Sequence, residues 1–176
     1  MVQIVADSSA LILLAKCSLL EIVCGLVKVI ISKSVVDEVA SEELVRKYPD
    51  AALISELISK GAIIVRRPGD RRFDLPIKLH QGEKDALLLA IKLKPSLFAT
   101  DDGKAIKAAR FLKIPFIITP KMVVELYRLH EISFKKARES LEMLRKIGRY
   151  SPEIIADALI SLMEEKNGKA DNHKDT

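Results

Sequence analysis

The chain has 176 residues, of which 49% are hydrophobic and 30% charged, with seven Gly and seven Pro. That composition excludes a disordered, collagenous or low-complexity polypeptide and suits one ordinary domain with a sizeable core. Net charge is +5 and unevenly spread: residues 60–79 and 121–149 each carry +4, leaving −3 on the remainder, which suits a protein that attracts a polyanion while keeping carboxylates free for metal ions.

Cys17 and Cys24 are too few for a disulfide scaffold, and with three scattered histidines they form no zinc-ligand spacing, so a reducing cytoplasm is the expected compartment. At the N-terminus there is no basic leader region, and Asp7, Lys16, Glu21 and Lys28 interrupt the apolar stretch before membrane length. Neither a signal peptide nor a transmembrane helix is expected.

Val2 to Ala6 predicts a strand closed by Asp7-Ser8-Ser9, with helical patterns over Ala10 to Ala15 and Leu19 to Val27. Val29 to Ile31 predicts a second strand, Ser34 a cap for a helix over Val35 to Ala40, and Asp50 to Lys60 an amphipathic helix stopped by Gly61. A third strand follows at Ala62 to Val65, then a loop from Arg66 to Leu79 holding Pro68-Gly69 and Pro76, then a helix from Gln81 to Leu93 apolar nearly all round over Ala86 to Ile91. Ser96 to Thr100 is the fourth strand and ends in Asp101-Asp102-Gly103, Lys104 to Leu112 a helix, and Pro115 to Thr119 the fifth strand. Three helices close the chain, over Lys121 to Leu129, Ser133 to Lys146 and Pro152 to Glu165, and the polar tail from Asn167 is expected to be disordered. Short apolar strands alternating with helices imply a parallel sheet covered on both faces, whose ligands bind at the carboxyl ends of the strands.

Several functions are excluded by motif. Gly103-Lys104 lacks both the glycine five positions earlier and the following Ser or Thr of a phosphate-binding loop, and no G-x-G-x-x-G occurs. Ser8 and Ser9 lack a G-x-S-x-G frame for a serine hydrolase. What remains is a set of carboxylates at strand ends and helix starts: Asp7, Glu38, Glu83, Asp85, Asp101 and Asp102. Singly, each has a plainer role as a cap, a turn or a solvated group. Asp85 is harder to dismiss, because it opens a nearly all-apolar helix where an unpaired charge is costly. Several carboxylates in one crevice repel one another, and hard cations such as Mg²⁺ or Mn²⁺ relieve that repulsion through oxygen ligands.

The segments IVADSSALILLAK, SKSVVDEVA, GEKDALLLAIKL and LFATDDGKAIKAARFLKIPFIITP resemble, in order, the successive motifs of the PIN-domain nucleases, and LEMLRKIGRYSPEIIADAL resembles the extra helices of stand-alone prokaryotic members. The resemblance implies a three-layer α/β/α fold with a central parallel sheet of about five strands and extra C-terminal helices. It divides the chain into a catalytic core at 1–120, a helical extension of the same domain at 121–166 and a tail at 167–176. It implies a metal-dependent endoribonuclease using one or two Mg²⁺ or Mn²⁺ ions, with Asp7 and Asp102 as principal ligands, Glu38 and Asp85 as further ligands or water-orienting groups, and Asp101 as auxiliary. Glu83 matches a variant of one branch and is held as an extra ligand, with Ser9 and Thr100 as hydrogen-bond partners of the ligands. The toxin of a toxin–antitoxin pair, with an antitoxin-like protein partner and a homodimeric state, completes the expectation. The alternative is a catalytically degenerate PIN module that binds RNA or protein. Receiver domains want paired acids after the first strand and haloacid-type phosphatases want D-x-D there, whereas Ser8 and Ser9 follow Asp7.

RNA phosphates are expected on Arg66, Arg67, Arg71 and Arg72. With no Trp and only five Phe and three Tyr, no aromatic platform for single-stranded bases is legible.

Overall fold

The computed structural model describes residues 2–68, 77–94 and 96–171. Apolar runs too short for helices become strands: β1 (Gln3–Ala6), β2 (Lys28–Ser32), β3 (Ile63–Arg66), β4 (Leu97–Ala99) and β5 (Phe116–Ile117). They form one five-stranded sheet in the order β3-β2-β1-β4-β5, with every pairing parallel. β1 is central, Ile4 standing opposite Val29 on one side and Leu97 on the other.

Parallel neighbours require crossovers, here made by α1 (Ser8–Lys16), α2 (Leu20–Leu26), α3 (Lys33–Val39), α4 (Glu42–Lys47), α5 (Pro49–Ser59), α6 (Gln81–Lys92) and α7 (Gly103–Phe111). The result is a three-layer α/β/α fold. α6 lies against β1, β2 and β4, and its apolar stretch from Ala86 to Ala90 is buried as its all-round hydrophobicity predicts. Val5, Ile31, Phe98 and Ile63 fill the sheet's contribution to the core. Gly61 stops α5 at φ 74°, the left-handed conformation that a glycine adopts without steric cost.

Some boundaries differ from the sequence expectation. α3 starts at Lys33 because the Ser32 hydroxyl, not that of Ser34, accepts from the Val35 amide at 3.2 Å. α4 buries no residue and has no apolar period to betray it; the ion pairs Arg46–Glu42 at 3.1 Å and Lys47–Glu43 at 2.6 Å, each one turn apart, support it instead. Arg66 is the last residue of β3 rather than the first of a loop.

By backbone contacts the chain divides into two compact units, Met1–Ile118 and Thr119–Thr176. In the second, α8 (Thr119–Arg128), α9 (Phe134–Ile147) and α10 (Pro152–Asp171) pack against one another around Val123, Leu141, Leu144 and Leu162. α10 runs to Asp171, past the Glu165 at which it was expected to end and into the stretch expected to be disordered. Among the described residues no single helix is long and apolar enough to cross a membrane.

Candidate active site

The strand order reverses between β1 and β4, since β2 and β3 extend the sheet one way and β4 and β5 the other. In an open parallel sheet the crevice outside such a reversal is where ligands bind. Asp7 and the Thr100–Asp101–Asp102 stretch stand there. The Asp7 amide donates to the Ala99 carbonyl at 3.1 Å, carrying the β1–β4 ladder one residue past the strands.

Asp7 is 1% exposed. Its Oδ1 accepts from the Ala10 amide at 3.1 Å, which caps α1, and from Ser9 Oγ at 2.6 Å; its Oδ2 accepts from Thr100 Oγ1. Capping and site membership are therefore not alternatives at this residue. Burial pushes the Asp7 carboxyl up to about 6, with the Asp101 charge adding to the rise, while the bonds from Ser9, Thr100 and Ala10 oppose it. The two hydroxyls also tie Asp7 to the fourth strand: Ser9 Oγ accepts from the Asp101 amide at 2.8 Å, and Thr100 Oγ1 from the Asp102 amide at 3.2 Å. Asp102, rather than Asp101, caps α7, its Oδ1 accepting from the amides of Lys104 at 2.7 Å and Ala105 at 3.0 Å.

The remaining acids are held by bonds of their own. Ser8, the neighbour of Asp7, donates to Glu38 Oε2, and Glu38 Oε1 accepts from the Gly82 amide at 3.1 Å. Exposed as it is, the Glu38 carboxylate thus has a fixed place between α1 and α6. Asp85 Oδ2 accepts from Ser34 Oγ at 2.6 Å and its Oδ1 from Gln81 Nε2 at 2.7 Å, while Ser34 Oγ lies 2.8 Å from Ser32 Oγ. Glu83 serves its own helix start, its Oε2 accepting from the His80 amide at 3.0 Å. The cost of burial expected at Asp85 falls instead on Asp7: Asp85 is only half-buried, in the first turns of α6, whereas Asp7 ends the central strand.

Arg66 and Arg67 are exposed at the carboxyl end of β3. In an all-parallel sheet this is the edge that carries Asp7, two strands away or about 10 Å at the usual strand spacing. Arg71 and Arg72 lie outside the described residues.

Ser8, Ser34, Gln81 and the Gly82 amide are the partners that sequence reasoning did not single out. For Ser8 and Ser34 the signal was a hydroxyl next to an acid or just beyond a strand's carboxyl end, whereas Gln81 and the Gly82 amide carry none.

Among the described residues Asp7, Glu38, Asp85 and Asp102 make no ion pair, and no three His, Cys, Asp or Glu side chains are gathered closely enough to enclose an ion. Yet the donor set suits a hard divalent cation. It consists of carboxylate oxygens, its innermost member is buried, and that burial makes the carboxylate resist ionising, a cost that a bound cation would offset. Cysteine chemistry does not compete, since burial and Glu21 push the Cys24 thiol up to about 11.

If Thr100 supports the Asp7 charge, Thr100→Val costs about 1.5 to 3 kcal/mol at neutral pH without divalent ions, the usual value of a hydrogen bond to a charged group. The cost shrinks near pH 5, where Asp7 is mostly protonated. Urea unfolding of both proteins in EDTA at the two pH values measures it; an equal cost at both disconnects Thr100 from that charge.

The three-layer α/β/α sheet, with Asp7 and Asp102 at its reversal point, has the fold of the PIN-like class. The sequence profile of a family described as PIN domain matches residues 3–165, and the chain belongs to that family. PIN domains are generally nucleases, hydrolases that typically use divalent metal ions. No curated protein matches the chain.

Proposed function

We propose that the protein is a metal-dependent endoribonuclease whose centre is Asp7, Glu38, Asp85 and Asp102, with Asp101 beside it. The observation that carries this reading is Asp7: a buried carboxylate without a counter-cation among the described residues, joined through Ser9 and Thr100 to the Asp101–Asp102 backbone.

In this reading those four carboxylates hold one or two Mg²⁺ or Mn²⁺ ions. A bound ion of that kind activates water and neutralises charge on a phosphodiester. Ser9 and Thr100 fix the rotamer of Asp7 and keep its lone pairs directed, as partners of metal ligands commonly do. In this reading Glu38, exposed but held by Ser8 and Gly82, orients the attacking water and takes its proton. Asp85 plays a similar orienting part from α6, steadied by Ser34 and Gln81. Arg66 and Arg67 draw the RNA backbone toward this edge, and the phosphate-binding role expected of Arg71 and Arg72 belongs to the same proposal. The toxin role, the antitoxin-like partner and the homodimer implied by the resemblance belong to the same proposal.

The test is incubation of the full chain with single-stranded RNA in Mn²⁺ and in EDTA. Cleavage is expected in Mn²⁺ alone, and its loss in Glu38→Gln. RNA that is bound but left intact with every divalent ion tried identifies a degenerate binding module and ends the nuclease reading.

A further inference from the structure

Charged helices in this protein mostly neutralise themselves. Lys33 pairs with Asp37, Arg46 with Glu42, Lys47 with Glu43, Lys60 with Glu56, Arg128 with Glu125 and Arg145 with Glu142, each within one helical turn. α7 is the contrast. From Gly103 to Ile118 the chain carries Lys104, Lys107, Arg110 and Lys113 and no acid, and among the described residues none of the four makes an ion pair. The inner face of α7 is small and apolar, with Ala105, Ala108 and Ala109 fully buried. At 100° per residue, Lys104, Lys107, Arg110 and Phe111 fall together on the opposite arc, and all four are exposed. Phe111, 61% exposed, is the most exposed Phe or Tyr side chain among the described residues.

We propose that this face of α7 is the track by which single-stranded RNA reaches the acidic centre, with backbone phosphates on Lys104, Lys107 and Arg110 and one base stacked on Phe111. The proposal rests on the nuclease reading and adds the path of the substrate. A cluster of carboxylates repels a polyanion, so the attraction must come from beside it. α7 begins at Asp102, which caps it, and at 1.5 Å per residue Phe111 lies about 13 Å along the axis from there. Uncompensated cations supply attraction without base preference, and an exposed ring adds stacking that any base can make. Arg110 also lies over the Phe116 ring at 5.5 Å, a contact that steadies its guanidinium without neutralising its charge.

The experiment is fluorescence-polarisation binding of a short labelled single-stranded RNA to the full chain in EDTA, across a salt series. In EDTA, binding is read without cleavage. Wild type binds with a steep salt dependence. The double change Lys104→Gln and Lys107→Gln flattens the log–log slope by about 1.4, or 0.7 for each single-strand phosphate that a lysine no longer neutralises. Phe111→Ala weakens the single strand about 5- to 150-fold, the scale of one stacked base, and leaves the salt slope and the binding of duplex RNA unchanged. Phe111 and both lysines are exposed, so these variants should fold; circular dichroism checks it. Unchanged slope and unchanged affinity in folded variants overturn the track. So does wild type that fails to bind single-stranded RNA, and so does a Phe111→Ala protein whose only change is in oligomeric state by sedimentation, which marks the face as a protein interface. Cleavage of the same RNA in Mn²⁺ is scored separately. Wild type that cleaves while the variants bind normally removes the track and keeps the nuclease reading; wild type that never cleaves while the variants lose binding does the reverse.

Discussion

Asp7→Asn is expected to leave the protein without metal-dependent cleavage and, in EDTA at neutral pH, more stable than wild type. The second half follows from the sign of the shift. The folded carboxyl titrates at about 6 against 3.8 for an ordinary one, so between those values the native state holds a proton that the unfolded state has released. Stability then falls as pH rises through that window. The loss from this group is absent below about pH 4 and complete above about pH 7, and the gap corresponds to about 3 kcal/mol. An asparagine cannot ionise, so it escapes that loss. It also fits: its Oδ1 can keep the Ala10 amide, and its amide nitrogen can donate to the Thr100 hydroxyl, which rotates to accept.

Urea unfolding in EDTA should therefore show Asp7→Asn about 1 to 3 kcal/mol more stable than wild type at pH 7.5, with the advantage vanishing near pH 4. Added Mn²⁺ should stabilise wild type and not the variant, because a ligand raises stability only through the native state that binds it. Cleavage should fall by more than about a hundredfold, the upper end of what changes to mere partners of metal ligands produce. A folded Asp7→Asn protein that cleaves normally in Mn²⁺ would falsify the assignment of the centre. An advantage independent of pH would mean that packing, not charge, sets the difference.

Much of this centre was legible because parallel sheets concentrate function at one edge. Once the short apolar runs are taken as parallel strands, the residues after them become candidates without any contact being known. Asp7, Asp101 and Asp102 stand out that way, and by motif order so do Glu38, which the structure places in the last turn of α3, and Asp85 in α6. Burial is harder to read. An acid ahead of an apolar run looks costly to bury, which singles out Asp85, but the first turns of α6 are only partly covered and the charge there is half-exposed. Asp7 follows an equally apolar run and is buried because β1 lies mid-sheet, a property of strand order that no local pattern carries. The local role of Glu83 is hard to read for a related reason. The usual capping box begins with Ser or Thr, and with His80 in that place the bond from the His80 amide to Glu83 has no familiar signature. Phe111 is invisible as an aromatic surface, because in KAARFLK a phenylalanine beside a leucine and one turn from alanines reads as core.

The tightest test of Glu38 does not touch Glu38. A Cβ built on Gly82 would run into the Glu38 carboxylate, meeting Oε1 and Oε2 closer than any real contact allows. What it meets is the end of a flexible, exposed side chain rather than backbone, so Gly82→Ala should swing that carboxylate away instead of unfolding the helix. Two opposing terms keep stability close to wild type. Replacing glycine by alanine in a helix favours folding by up to about 1 kcal/mol, and losing the bond from the Gly82 amide to Glu38 Oε1 costs about 1 kcal/mol. The Ser8 hydroxyl loses its acceptor in the same movement, so the displaced carboxylate has nothing left to bring it back. Activity in Mn²⁺ is therefore expected to drop about 10- to 100-fold, the range seen when a partner that orients a metal centre is lost, while urea unfolding changes by less than about 1 kcal/mol. Gly82→Ser should behave likewise, whereas Gly103→Ala, at a glycine whose Cβ would meet nothing within 4 Å, should leave cleavage intact. If Gly82→Ala cleaves at the wild-type rate, the position of the Glu38 carboxylate is irrelevant to the chemistry and Glu38 leaves the centre. If instead both activity and stability collapse, the contact is structural, and the bond between α3 and α6 rather than proton transfer from water is what Glu38 provides.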